Sequence, residues 1–260
     1  MRVALGLEYS GVGFCGWQSQ PQGCGVQDAL QTAVSTIAGT KTAVTAAGRT
    51  DTGVHAAFQV AHFDTDAQRP LTAWVRGVNS HLPAGVAVLW ARELDETFHA
   101  RFAATQRGYR YVLLNHPVRP GLNQGRVGWH HRPLDVDAMN RAAAHLIGQH
   151  DFSAFRAAEC QAKSPVKELR LAQVARRGDY LLCDFRADGF LHHMVRNLMG
   201  CLVQVGAGSQ TPEWLGELLQ GRDRTLAAPT FDAAGLYLTH IRYPAHFALP
   251  ESSDRWPFVI

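Results

Sequence analysis

The sequence predicts an α+β protein built from two β-α-β-β-α-β halves, and three observations carry that expectation. With 46% hydrophobic and 18% charged residues, the 260-residue chain has the mix of a globular protein rather than a disordered or fibrous one. Short runs of alternating apolar residues are separated by segments of helical period. The order of these elements in the first hundred residues then recurs in the rest. Surface scaling gives about 11,000 Å² folded against about 41,000 Å² unfolded, so a chain of this mass buries a core without disulfide or metal staples.

Val3, Leu5, Leu7 and Tyr9 alternate as a first strand. Val26, Ala29, Leu30, Ala33, Val34 and Ile37 trace one face of a helix. Thr42 to Ala47 and Ala57 to Phe63 read as strands, Leu71, Trp74, Val75 and Val78 as a helix, and Val86 to Trp90 as a strand. In the second half Tyr109, Tyr111 and Leu113 give a strand, and Val136, Met139, Ala143, Leu146 and Ile147 a helix. Val166 to Ala175 and Tyr180 to Ala187 flank a turn at Arg177-Gly178-Asp179. A helix over Phe190 to Val205, an extra helix near Pro212 to Leu219 and a strand over Leu236 to Ile241 complete the order. Both halves are therefore expected to be ferredoxin-like, spanning 1–105 and 106–245 with a tail over 246–260. Antiparallel sheets with helices on one face leave the other face free for a ligand, and by analogy alone with sheets of this topology that ligand is expected to be RNA in a central cleft.

Charge is uneven. Residues 1–105 carry 7 basic and 8 acidic groups, and 106–260 carry 18 and 14. Arg101, Arg107, Arg110, Arg119, Arg126 and Arg132 follow one another with no acid between them, interleaved with Phe102, Tyr109, Tyr111 and Trp129. Guanidinium groups pair with phosphates and aromatic rings stack on bases, so this stretch reads as a nucleic-acid face. Five widely spaced cysteines without a C-x-x-C pair argue against a disulfide framework or zinc knuckle and fit a reducing cytoplasm. The longest apolar run, Met194 to Val205, is interrupted by Arg196, Asn197 and Gln204, which excludes a membrane span there, and the N-terminus does not read as a secretory signal.

Several motifs compete for the chemistry. Gly11-Val12-Gly13-Phe14-Cys15-Gly16 spells a dinucleotide fingerprint, but no helix opens at the third glycine, so no nucleotide cofactor is expected. Asp51-Thr52-Gly53 spells the aspartic-protease triplet. It has no twin in the chain, and Arg49 two residues earlier would keep Asp51 ionised, against the shared proton of such a dyad. His130-His131 and His192-His193 are adjacent, so neighbouring rings diverge and neither pair chelates by itself; no metal is expected. His193 with Asn197, and His192 with Arg196, have helical i,i+4 spacing that suits a core or phosphate contact.

There remains Gly48-Arg49-Thr50-Asp51-Thr52-Gly53-Val54-His55-Ala56 between two strands. A tight hairpin connection accounts for Asp51 and Gly53 taken alone. The nine residues together resemble the catalytic loop of the tRNA pseudouridine synthase A family. So do Gly16-Trp17-Gln18, Asn79-Ser80-His81-Leu82-Pro83, Phe98-His99-Ala100-Arg101-Phe102, Tyr109-Arg110-Tyr111, Phe155-Arg156, Phe190 to Asn197 and Gly235-Leu236-Tyr237-Leu238, in the family's order. Thr52 stands where alanine is usual, and Gly108 where close relatives have arginine.

The resemblance implies an isomerase that turns uridine into pseudouridine at positions 38, 39 and 40 of the tRNA anticodon stem-loop, acting as a homodimer and without cofactor. It implies Asp51 as nucleophile, Arg49 as its ion-pair partner and Tyr109 as the aromatic group against the target base. It sets Arg101, Arg110, His55, Arg196 and His193, with Tyr109, at the substrate. The chemistry needs few side chains, because the N1–C1′ bond breaks and a C5–C1′ bond forms with no net redox change. A carboxylate serves either by adding to C6 of uracil or by attacking C1′ of ribose. A noncatalytic RNA-binding module of the same fold is the alternative from another class, and a proteolytic hydrolase a third; Asp51 and its loop separate the first from the second.

Overall fold

The computed structural model describes residues 1–251. In chain order the elements are β1 (Arg2–Tyr9), α1 (Val26–Ala38), β2 (Thr45–Ala46), β3 (His55–Asp64), and a π turn at Ala73–Gly77 that runs into α2 (Val78–His81). β4 (Val86–Leu94), β5 (Gln106–Asn115), β6 (Gly128–His130), α3 (Val136–Ala144), β7 (Gly148–Asp151), β8 (Val166–Arg177) and β9 (Tyr180–Ala187) follow. α4 (Met194–Gly206), α5 (Pro212–Gly221) and β10 (Leu236–Arg242) close the order. The fold is mixed α+β, in two compact units: Met1–Gln106 with residues 237–251, and Arg107–Leu236. The C-terminal strand, assigned from sequence to the 106–245 half, thus clusters with the first unit from Tyr237 onward. The reason is pairing, since Tyr237 and Leu238 lie parallel to His55 and Ala56 of β3.

In the first unit β1 is central, antiparallel to β3 on one side and to β4 on the other. Val3, Ala4, Leu5 and Leu7 of β1 are all fully buried, as a strand covered on both faces requires. α1 begins where Gly25 gives up helical geometry and Asp28 accepts its N–H at 2.9 Å. It stops at Gly39, whose φ of 74° is the left-handed cap that glycine adopts without penalty. Its buried residues Val26, Leu30, Ala33, Val34 and Ala38 keep the predicted stripe. The strand expected over Thr42 to Ala47 shrinks to the two residues of β2. Side chains of α1 have taken its backbone groups: Ser35 Oγ accepts from Thr42 N, Gln31 Oε1 accepts from Val44 N, and Gln27 Nε2 donates to Val44 O.

In the second unit β5, β9, β8 and β7 follow one another antiparallel, and β6 lies parallel to β5. α3 is capped by Asp135, which accepts from Ala138 N at 3.0 Å. It ends at Ala144, short of the expected Ile147, because the next three N–H groups bond three residues back and tighten the last turn. The cysteine reading also changes. Cys15 and Cys24, nine residues apart, are joined in a disulfide with their Cα atoms 5.4 Å apart, and Cys15 N donates to Cys24 O at 2.9 Å. Among the described residues no helix is long and apolar enough to cross a membrane.

Candidate active site

The loop carrying Asp51 joins β2 to β3 and is held from two directions. From below, Gln59 Nε2 on β3 donates to Gly48 O at 2.8 Å, and Tyr9 Oη on β1 lies 2.9 Å from Thr50 Oγ1. From the side comes the segment after β1. Trp17 N donates to Thr50 O at 2.9 Å, and Gly11 N donates to His55 Nδ1 at 3.0 Å. The approach is so close that a Cβ on Gly16 would lie 2.7 Å from Thr50 O and 3.0 Å from the carbonyl carbon of Asp51, while one on Gly11 would lie 2.3 Å from Val54 O. Only glycine permits this backbone contact, and at Gly16 a φ of 89° adds a second reason. Within the loop Val54 N donates to Asp51 O at 3.1 Å, and Gly53 takes a φ of 79° to close the turn.

The result is an ordered backbone presenting a half-buried Asp51, with Arg49 exposed two residues before it. The segment from Gly11 to Gly16 that spells a nucleotide fingerprint is therefore the lateral brace of this loop. His55, expected at the substrate, is 2% exposed and stacks on Tyr237 with ring centroids 4.5 Å apart. Arg101 lies past β4 in an exposed stretch, its guanidinium 5.7 Å from the Phe102 ring centroid.

The second unit holds the remaining expected residues. Tyr109 on β5 is half-buried and meets Phe190 edge-on at 5.1 Å. Arg110 makes a bidentate pair with Asp184 on β9, at 2.6 and 2.8 Å, directly across the strand register. Arg196 Nε donates to Phe231 O at 2.9 Å, and Phe231 N returns a bond to Arg196 O at 3.2 Å. His193 precedes α4 in the left-handed region at φ 61° and ψ 1°, a position that strains a residue with a Cβ. Behind it Asn197, fully buried, donates to Phe155 O and accepts from Arg224 and Thr230. Arg119, Arg126 and Arg132 are exposed.

A family profile described as tRNA pseudouridine synthase matches residues 7–103 and 142–244. A tRNA pseudouridine synthase A of Thiobacillus denitrificans is 82% identical over 258 residues, covering 99% of each chain. The chain belongs to the tRNA pseudouridine synthase family. Proteins of the same name from Dechloromonas aromatica, 61% identical over 254 residues, and Burkholderia ambifaria, 60% identical over 250, cover 98% and 96% of it. Within a synthase of this family, Tyr9, Gln59 and Trp17 are supports of the Asp51 loop that the sequence reading did not single out as such. Tyr9 continues the apolar alternation of β1 and so reads as core. Gln59, a polar residue amid Ala57 to Phe63, was the available signal.

Proposed function

We propose that this synthase isomerises uridine to pseudouridine at positions 38, 39 and 40 of the tRNA anticodon stem-loop, with Asp51 as the nucleophile. The observation that carries the reading is the Asp51 loop: nine residues of family type, braced on two sides so that one half-buried carboxylate has a fixed backbone. The net chemistry is balanced within the nucleotide. The N1–C1′ bond breaks, uracil turns, C5 bonds to C1′, the C5 proton leaves and N1 gains a proton. Asp51 forms a transient ester to the ribose or an adduct at C6, and is released unchanged. Arg49 is assigned to its charge partner and Tyr109 to the ring contact that retains the freed base.

Arg101, Arg110, His55, Arg196 and His193 are assigned to the substrate-binding set by family resemblance, which also supports a homodimer and cytoplasmic residence. The exposure of Arg119, Arg126 and Arg132 supports phosphate tracking. A ferredoxin-like organisation of the two halves is supported in the first unit by the order β4-β1-β3 with β2 on β3. In the second it is supported by β8 and β9 following α3.

The test is tRNA labelled with tritium at uracil C5, incubated with protein alone. Wild type is expected to release tritium to water. Asp51→Asn preserves the shape of the loop and is expected to release none while holding tRNA within roughly tenfold of wild-type affinity. Substantial release by Asp51→Asn removes the nucleophile assignment, and no release by wild type removes the substrate assignment.

A further inference from the structure

Three buried polar side chains tie the Asp51 loop to the strands beside it: Thr50 in the loop, Tyr9 on β1 and Gln59 on β3. Tyr9 is 4% exposed, Thr50 7% and Gln59 0%. Burying such groups costs free energy unless each is hydrogen-bonded, and apolar residues of similar size fill a core with less risk. Here the bonds form one chain. Gln59 Nε2 reaches both Gly48 O at 2.8 Å and Tyr9 Oη at 3.4 Å, and Tyr9 Oη reaches Thr50 Oγ1 at 2.9 Å. Gln59 donates to the phenol oxygen, and between Tyr9 Oη and Thr50 Oγ1 either hydroxyl can supply the proton.

We propose that Tyr9 and Gln59 are positioning residues for uridine isomerisation, fixing the backbone on the N-terminal side of Asp51 through Thr50 and Gly48. The inference rests on the reading that Asp51 is the reacting carboxylate. The geometry is directional. Gly48 and Thr50 lie on either side of Arg49, and Thr50 adjoins Asp51, so the two anchors set the path of the chain through both charged residues. Thr50 is also pinned by its carbonyl, which accepts from Trp17 N at 2.9 Å. With its carbonyl held from the side and its hydroxyl from below, this residue has little freedom to rotate, and the Asp51 side chain inherits its direction. Burial raises the Tyr9 phenol to about 12, with the bonds to Thr50 and Gln59 opposing that rise. The group therefore stays protonated through neutral pH and acts as a fixed relay of position rather than as an acid.

The test measures single-turnover pseudouridine formation, tRNA affinity and thermal unfolding for Tyr9→Phe, Thr50→Val, Thr50→Ser and the Tyr9→Phe/Thr50→Val double variant. Misplacement of a reacting group by about 1 Å costs up to roughly 100-fold in rate, so Tyr9→Phe and Thr50→Val should each lose about 10- to 100-fold with affinity within about threefold of wild type. Because both remove the same bond, the double variant should be no slower than the slower single one. Thr50→Ser keeps the hydroxyl and should recover most of the rate lost in Thr50→Val. A role in stability alone predicts the opposite pattern, a lowered unfolding temperature with the single-turnover rate of folded protein unchanged, and that result overturns the proposal. Multiplicative rate losses in the double variant overturn it too. Should Tyr9→Phe fail to fold, Thr50→Val against Thr50→Ser decides by the same rate comparison. Asp51→Asn run alongside separates the two readings: activity there defeats the nucleophile assignment, whereas coupling of Tyr9 to Thr50 is read independently of it.

Discussion

His62 on β3 is a titratable ring enclosed in the first unit at 5% exposure, with Ala100 N donating to its Nδ1 at 3.2 Å. The rings of Phe98 and His99 stand edge-on to it at 5.9 and 4.8 Å. Burial first, then the positive charge of Arg2 and the neighbouring His99, lower it from 6.5 to about 4, with Asp64 opposing. The unfolded chain therefore takes up a proton here at a pH where the folded one does not. The stability tied to the neutral ring is complete above about pH 6.5 and is lost as pH falls through about 4. Urea unfolding followed from pH 8 to pH 4 should show a decline setting in below about pH 6.5, and His62→Gln should flatten it. An identical decline in that variant would assign it to other groups. Asp64, held low chiefly by its bond from Arg2, adds its own loss only as pH falls through the ordinary carboxylate range and below it. At this scale the candidate site was half legible. Asp51 and Arg49 announce themselves because a contiguous loop carries them. The pairing of Tyr9 with Thr50 joins residues 41 apart in sequence, and no local pattern encodes it.

Helix α4 shows what periodicity reads well and what it misses. From Met194 to Gly206 the apolar pattern and the helix agree, and eleven of its thirteen residues are buried. The pattern extends back to Phe190, but the helix does not. His193 turns into left-handed geometry, so residues 190–193 leave the helical path, with Leu191 buried and Phe190 meeting Tyr109 edge-on. Hydrophobic spacing records which residues face inward, and a non-helical turn with inward residues produces the same record. The left-handed conformation costs a residue with a Cβ about 1 kcal/mol or more, and that cost at a histidine points to a role for the ring. His193→Gly should keep or raise stability by up to about 1 kcal/mol, relief of strain being offset by the greater freedom of glycine when unfolded. Single-turnover isomerisation by the same variant should fall. Denaturant midpoints measured alongside the kinetics check both, and a large loss of stability would make His193 a packing residue instead. β6 and β7, three and four residues long, were illegible for a simpler reason, since too few residues alternate to show a period.

Across the whole chain, charge and topology follow different boundaries. The basic excess begins past residue 105, yet the first compact unit takes back residues 237–251. β10 pairs with β3 at His55 and Ala56, Thr105 N donates to Arg242 O at 2.8 Å, and Tyr243 Oη donates to Ala100 O at 2.7 Å. The rings of Tyr243 and Phe247 pack on buried Phe98 at 5.2 and 5.1 Å. These contacts bind segments roughly 140 to 180 residues apart. A ribosome adds about 5 to 20 residues per second, so the first hundred residues wait on the order of ten seconds or longer for the strand that completes them. During that interval the nascent chain carries an unpaired stretch of β3 and a Phe98 without its aromatic cover. The order of synthesis thus leaves the portion made first with an open strand edge and an uncovered aromatic ring, the kind of surface through which incomplete chains associate. Chains stalled on the ribosome before Leu236 leaves the exit tunnel should be cut readily by protease within 1–106, and chains extended by a C-terminal linker long enough to carry residue 251 clear of the tunnel before stalling should resist. Equal resistance at both stall points would mean that this portion closes without its last strand.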